Sequence, residues 1–466
     1  MPDCLSPSPL PPANASVTGP FFPVLSRKKL LGVLLLFLLI VTGFQPPLFA
    51  GLDRQKEPKE SLAKLRERAD QLWSEGKKRA AINRYLEAAK LFEQAAQAEE
   101  ASDKPRMKKL VEQLGQAGYY YYKGGEYDEA KPLLERDLAI RTERLGLNHP
   151  DTATSLNNLA ELYYYRGEFG KAALLFKRVL IIRKKSLGPE HPDTAESLNN
   201  LSLSYMKIGS FKQAEQMQKR AMAIREKIQG TNHLDRAESY NNLALLYNTM
   251  GRYELAEIYY KRALTIWEKH LDPDHPDIAL GQHNLAGLYF TKGAYDQAEP
   301  LYKAALSLWE KKLGPNHPKI AVVCNNLAMV YKATGSFVQS ELLYQRALTI
   351  WENKLGEDHP GSASILHNLA RLYQAMQSYE KAEQLYTKAL TIREKKLGSA
   401  HPDTVTSLKE LAALFKVMGV YDKAEKIYAF LLAFQEKTLG SDHPDTISSR
   451  YNLTQLRQRQ EKHQAK

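Results

Sequence analysis

The sequence predicts an all-α fold in which helical hairpins stack end to end into a solenoid. Three observations carry this expectation. His149, His191, His233, His275, His317, His359, His401 and His443 recur every 42 residues, each followed by proline except His233, which precedes Leu234. The hexapeptide SLNNLA at 155–160 returns as SLNNLS at 197, SYNNLA at 239, GQHNLA at 281, VCNNLA at 323 and ILHNLA at 365, again at intervals of 42. Between these landmarks apolar residues fall at helical spacing on both sides of a glycine. So strict a period marks one supersecondary unit copied along the chain.

Within a unit, Leu156, Leu159, Ala160 and Tyr163 are separated by steps of three, one and three, and so share one stripe of a first helix, A. Gly167 follows where a helix C-terminus favours the left-handed conformation, and it recurs as Gly209, Gly251, Gly293, Gly335 and Gly419. Phe169, Ala172, Phe176, Val179 and Leu180 mark a second helix, B, which ends at Leu187-Gly188. His191-Pro192-Asp193 leads into the next helix A, with proline where its missing N–H does no harm. One hairpin cannot bury its own apolar stripes, whereas stacked hairpins bury them in a continuous core and leave a concave face. Ala172, Ala214, Ala256, Ala298, Ala382 and Ala424 share one place where the two helices must approach closely. Cys324 stands where other copies have Leu156, Leu198, Leu366 and Leu408, and is read as a core residue.

The order Leu159-Ala160, Tyr163, Gly167, Phe169, Ala172, Phe176 resembles the tetratricopeptide repeat. The 42-residue unit, its NNLA core and its LGxxHPD connector are most similar to the kinesin light chain subtype and its bacterial relatives. The resemblance covers about residues 109 to 458 and implies a superhelical solenoid that binds other proteins. Residues 108–458 therefore read as an array of about eight units, closed by SRYNLT in a last helix A without a partner. A first copy with Gly125, Tyr127 and Ala130 lacks the asparagine pair. Residues 58–100, with Trp73, Gly76, Ala81, Tyr85 and Ala88, form a degenerate hairpin, followed by a longer loop near 98–106; residues 459–466 are a polar tail.

The asparagines hold the functional signal. Advancing about 100° per residue puts Asn158 nearly opposite the core stripe and Asn157 on its flank. Asparagine costs a helix up to about 0.7 kcal/mol relative to alanine, so its repetition calls for a compensating role. Its amide matches the N–H and C=O of an extended peptide. The resemblance implies that a column of Asn158, Asn200, Asn242, Asn284, Asn326 and Asn368 grips a partner's main chain, the alternative being an internal ladder that sets register. For the flanking Asn157, Asn199, Asn241 and Asn325 the internal ladder is preferred. The column lapses at Glu410. At the places of Thr154 and Glu161, Leu203, Leu245, Leu280, Val322 and Met329 would offer apolar contacts. Lys207, Lys292 and Lys332 would attract acidic residues, or serve solubility and the helix dipole.

Other function classes fare poorly. The formal charge of +12 is spread along the chain, and no nucleic-acid module accompanies it. Cys4 and Cys324 are the only cysteines and lie far apart, so no disulfide framework is expected. Histidines one unit apart are separated by two helix widths, about 8 to 10 Å each, far beyond zinc–nitrogen bonds near ~2 Å. A connector role suits them, and no metal, cofactor or catalytic residue is expected. Residues 1–26 are Pro-rich and read as disordered. Within 27–52, Arg27-Lys28-Lys29, preceded by Ser26, leads into an apolar run, residues 30–44, shorter than the roughly 20 residues of a comfortable membrane span. This suggests a signal peptide or a membrane tether, hence an exported or anchored protein. The expected function is a non-enzymatic scaffold that binds extended peptide segments of a partner in its groove. The alternative is an assembly protein that self-associates through the solenoid ends or convex face.

Overall fold

The computed structural model describes residue 67 and residues 70–77, 85–102, 105–228 and 233–464. The Pro-rich N-terminus and the apolar run at 30–44 lie outside the described residues. Among the described residues, no helix is long and apolar enough to cross a membrane, and all regular structure is helical. Helical residues 70–77 pair with α1 (Tyr85–Glu100), where Trp73 meets Phe92 edge-on at 4.8 Å between ring centroids. The A helices are α2 (Met107–Lys123), α4 (Pro150–Tyr165), α6 (Pro192–Lys207), α8 (His233–Thr249), α10 (Pro276–Thr291), α12 (Pro318–Ala333), α14 (Pro360–Ala375) and α16 (Pro402–Val417). Their B partners are α3 (Tyr127–Leu145), α5 (Phe169–Ser186), α7 (Phe211–Ile228), α9 (Tyr253–His270), α11 (Tyr295–Leu313), α13 (Phe337–Leu355), α15 (Tyr379–Leu397) and α17 (Tyr421–Leu439). The last helix, α18 (Pro444–Gln464), covers the final pair with Leu453 and Leu456.

The HP connector is a helix cap. Imidazole Nδ1 of His149, His191, His275, His317, His359, His401 and His443 accepts the N–H of the residue two further on, at 2.9 to 3.2 Å. That bond satisfies one of the orphan N–H groups of helix A, and it requires the ring to be neutral with its proton on Nε2. Where the motif continues HPDT, Thr152, Thr194, Thr404 and Thr446 donate to the carbonyls of Gly146, Gly188, Gly398 and Gly440 at 2.8 to 2.9 Å. Each of those glycines has φ between +85° and +100°. Histidine and threonine thus tie the end of one unit to the start of the next.

The alanine column is fully buried from Ala130 to Ala424, with Ser340 as its one variant. The Ser340 hydroxyl donates to the Ala328 carbonyl of the facing helix at 2.7 Å, and Ser202, which replaces Ala160 on the other side, donates to the Ala214 carbonyl at 2.8 Å. The two backbones are therefore close enough for a hydroxyl to reach across, leaving no room for anything larger than alanine or serine. Cys324 is fully buried as expected, and burial pushes its thiol up to about 11. The long connection expected near 98–106 is shorter, since α1 continues to Glu100. Glu99 is completely buried, and its carboxylate accepts the Arg106 main-chain N–H at 2.6 Å and pairs with the guanidinium. Successive A helices, such as α8, α10, α12 and α14, approach each other more closely than successive B helices do. The A helices therefore line the inside of the curve.

Candidate functional site

Two hydrogen-bond ladders run along the A helices. In the first, the second asparagine of each unit donates to the first asparagine of the unit before: Asn200 to Asn157 at 3.4 Å, Asn242 to Asn199 at 3.1 Å, Asn284 to Asn241 at 2.8 Å and Asn368 to Asn325 at 2.9 Å. Asn326 meets Nε2 of His283 at 3.3 Å, since histidine replaces the first asparagine there. In the second ladder, Tyr247, Tyr289, Tyr331 and Tyr373 donate to Glu215, Glu257, Glu299 and Glu341 of the preceding B helix at 2.5 to 3.2 Å. Both ladders repeat with the unit and fix how far each hairpin rotates on its neighbour.

The register role expected for Asn157, Asn199, Asn241 and Asn325 is thus what the geometry displays. For the second column the outcome is mixed. These amides do not project freely into the groove, since all but Asn158 commit a donor to the neighbouring unit. They remain half-buried rather than sealed. Oδ1 of Asn200 and Asn326 accepts from the adjacent Asn199 and Asn325 at 3.5 and 3.1 Å. Oδ1 of Asn242, Asn284 and Asn368 has no partner among the described residues, and the Asn158 amide has none on either side, because Gly115 stands where the ladder would continue. Glu410, which ends the column, faces the row position of His367, whose Nδ1 is buried without a partner.

The apolar neighbours surround this column. Leu203 and Asn200 line a cavity of about 200 Å³ together with Glu161, Tyr164, Tyr165 and Phe176. Leu245 and Val322 are exposed, while Leu280 and Met329 are partly buried against the core. The lysines separate into different roles. Lys292 is bound to Glu257 at 2.8 Å and so serves the fold, which removes it from the groove cations expected from sequence. Lys207 is exposed at the end of α6. Lys332 is half-buried and makes no ion pair among the described residues; burial and the neighbouring Arg371 push its amine down to about 8. Among the described residues, no three histidine, cysteine or carboxylate side chains gather as a metal site. The histidine caps and the pairing of each second asparagine with the first asparagine of the preceding unit are the features that sequence reasoning missed. The HPD spacing signalled the first, while the second depends on how neighbouring units pack.

The family model for the tetratricopeptide repeat matches residues 113–185, 175–227, 193–269, 277–350, 323–395, 361–417 and 403–465. No curated protein matches the chain. Among solved structures, it is similar to a putative kinesin light chain from Podosopora anserina with nearly identical TPR-like repeats, at 27% identity and TM-score 0.38, over 44% of this chain and 97% of that one. It is also similar to BtubC (BKLC) from P. vanneervenii, at 23% identity and TM-score 0.40, over 50% of this chain and 91% of that one. A Rap protein solved with competence and sporulation factor matches at 16% identity and TM-score 0.53, over 80% of this chain and 98% of that one. With the family model recurring over most of its length on the very units that the histidine caps and asparagine ladder delimit, this chain belongs to the tetratricopeptide repeat family.

Proposed function

We propose that the chain is a non-enzymatic protein-interaction scaffold that holds extended segments of a partner against its A helices. The observation that carries this is the half-committed asparagine column. At Asn242, Asn284 and Asn368 the ladder orients each amide through one N–H and leaves Oδ1 uncommitted. An acceptor held in place by its own donor is preorganised, which lowers the ordering cost of binding. Exposed Leu245 and Val322 beside the column supply contacts for apolar side chains of the segment. The Ser26-Arg27-Lys28-Lys29 cluster and the apolar run after it direct the protein to export or to a membrane tether, which fractionation of the native host with and without residues 1–52 tests.

The test separates gripping from register. Asn200→Ala, Asn242→Ala and Asn284→Ala together remove the column, whereas Asn157→Ala, Asn199→Ala and Asn241→Ala together remove the same three ladder bonds from the acceptor side. Partners captured from the native host should be lost in the first triple variant and kept in the second, both retaining far-UV helicity. Equal capture by both triples would reject the groove assignment. A second reading, self-association, is favoured by Ile447 and Tyr451, exposed on α18 at 52% and 63%. Light scattering over a concentration series decides it, a groove binder remaining monomeric.

A further inference from the structure

The superhelix touches itself. The ring of His359 lies against the turn at Gly125, beside the main chain of Lys123, and the ring of His401 lies in the same way against the turn at Gly167, beside the main chain of Tyr165. Each contact spans more than five units of sequence, and the second lies one 42-residue unit beyond the first on both strands of the contact. The glycine turns between A and B helices complete each rung. A Cβ on Gly125 would stand 2.8 Å from Pro360 Cδ and 2.9 Å from His359 Cδ2, and one on Gly167 would stand 2.8 Å from His401 Cδ2. Lys396 pairs with Glu126 at 2.5 Å, both partly buried, and Leu397 packs against the cluster around Tyr121 and Tyr127. The next turn, Gly209, has nothing within 4 Å. The capping histidine itself records the contact: its side chain is 39% exposed at His149, His191 and His275 but 9% exposed at His401.

We propose that these two rungs form a latch that closes the solenoid across one superhelical turn, and that protonation of His359 and His401 opens it and widens access to the inner groove. Both imidazoles accept at Nδ1, from the N–H of Gly361 and of Asp403, and so are neutral with the proton on Nε2. A second proton at Nδ1 would face the N–H of Gly361 or Asp403 instead of accepting it. The charged neighbours act in the same direction at His359, where Lys396 adds positive charge and Trp351 stacks on the ring at 5.0 Å. At His401, Arg393 and Lys207 oppose protonation and Asp403 favours it. Glu126 is occupied by Lys396, and Asp358 by Lys395 at 2.5 Å. Burial therefore dominates, lowering His401 and holding His359 down to about 4 from its ordinary 6.5. In the open form both rings regain their ordinary affinity, so the open form binds more protons as pH falls below 6.5, and the equilibrium moves toward it until about 4.

Spin labels at Glu129→Cys and Glu357→Cys in the full-length chain carrying Cys4→Ser measure the gap, Cys324 being buried. The distance should be short at pH 7.5 and lengthen by at least a helix width, about 10 Å, at pH 4.5 without loss of helicity. The pair Gly125→Ala and Gly167→Ala should be long already at pH 7.5. Gly209→Ala with Gly251→Ala imposes the same backbone strain, φ +77° and +72° against +83° and +73°, where nothing is touched, and should stay short. His359→Asn with His401→Asn, which keeps a capping oxygen, should lose the pH response. A distance unmoved by acid and by the Gly125/Gly167 pair, equal lengthening in the Gly209/Gly251 pair, or lengthening only together with loss of helicity would each overturn the latch. A persistent pH response in the asparagine pair would overturn the histidine assignment. The access step rests on the groove reading and has its own readout, faster alkylation of Leu245→Cys by a maleimide-polyethylene glycol at pH 4.5. The latch measurement uses no ligand, so the two fail separately.

Discussion

An asparagine carries two donors and two acceptor lone pairs, and the ladder engages only part of that set. Each inter-unit bond is worth about 1 kcal/mol, enough to offset the propensity cost of asparagine in a helix. The turns between A and B helices follow a similar residue-scale logic. Gly125, Gly167, Gly209, Gly251, Gly293, Gly335 and Gly419 have φ between +72° and +83°, but the corresponding turn of α14 is made by Gln377 at φ +60°. A side chain held there costs about 1 kcal/mol or more. Gln377→Gly should therefore raise stability, by about 0.5 to 1 kcal/mol once glycine's extra entropy in the unfolded chain is deducted, read as an upward shift in the urea midpoint at unchanged m-value. An unchanged or lower midpoint would mean that the Gln377 side chain makes a compensating contribution.

At the scale of the element, the hairpin is closed by the facing small residues. Ala298 is fully buried where α10 and α11 approach, in the column where Ser340 reaches a carbonyl of the opposite helix. Ala298→Leu should cost about 1 to 3 kcal/mol by overpacking, while Ala298→Ser, with the Ala286 carbonyl in the place that Ala328 takes for Ser340, should cost well under half of that. Chemical denaturation of both variants checks the contrast, and equal losses would show that the separation of the helices is looser than the serine bonds imply. The periodicity that predicted the hairpin was legible because alanine recurs at one address. The reach of serine across the interface was not, since it depends on a distance between two backbones.

At the scale of the molecule, the packed units make the fold acid-sensitive. His283 rests between Tyr302 and Trp309 and is held down to about 4 chiefly by burial; His367 lies against Tyr386 and is held down to about 3 by burial with Arg393, Arg371 and Lys332 nearby. In the unfolded chain both return to about 6.5, so below that pH the unfolded chain binds more protons than the folded one. Stability is complete above 6.5 and declines as pH falls toward 4 and 3. The melting temperature should drop between pH 7 and 4.5, and His283→Asn, which restores the ladder partner of Asn326, should flatten that slope. A slope unaltered by this change would place the acid sensitivity elsewhere. This loss is one of melting, distinct from a parted latch that keeps its helices.

The sequence by itself determined the repeating unit, its two helices, the glycine and His-Pro punctuation and the buried small residues. These are local requirements of helical spacing, turn conformation and close packing, and each can be read within a window of 42 residues. Only the tertiary structure decided that the second asparagine bonds to the first of the preceding unit, that Lys292 is taken up by Glu257, and that His359 and His401 meet the turns at Gly125 and Gly167. Those pairings follow from the small rotation between neighbouring hairpins, summed over several units. That rotation is a property of the packed interface, which no single repeat displays.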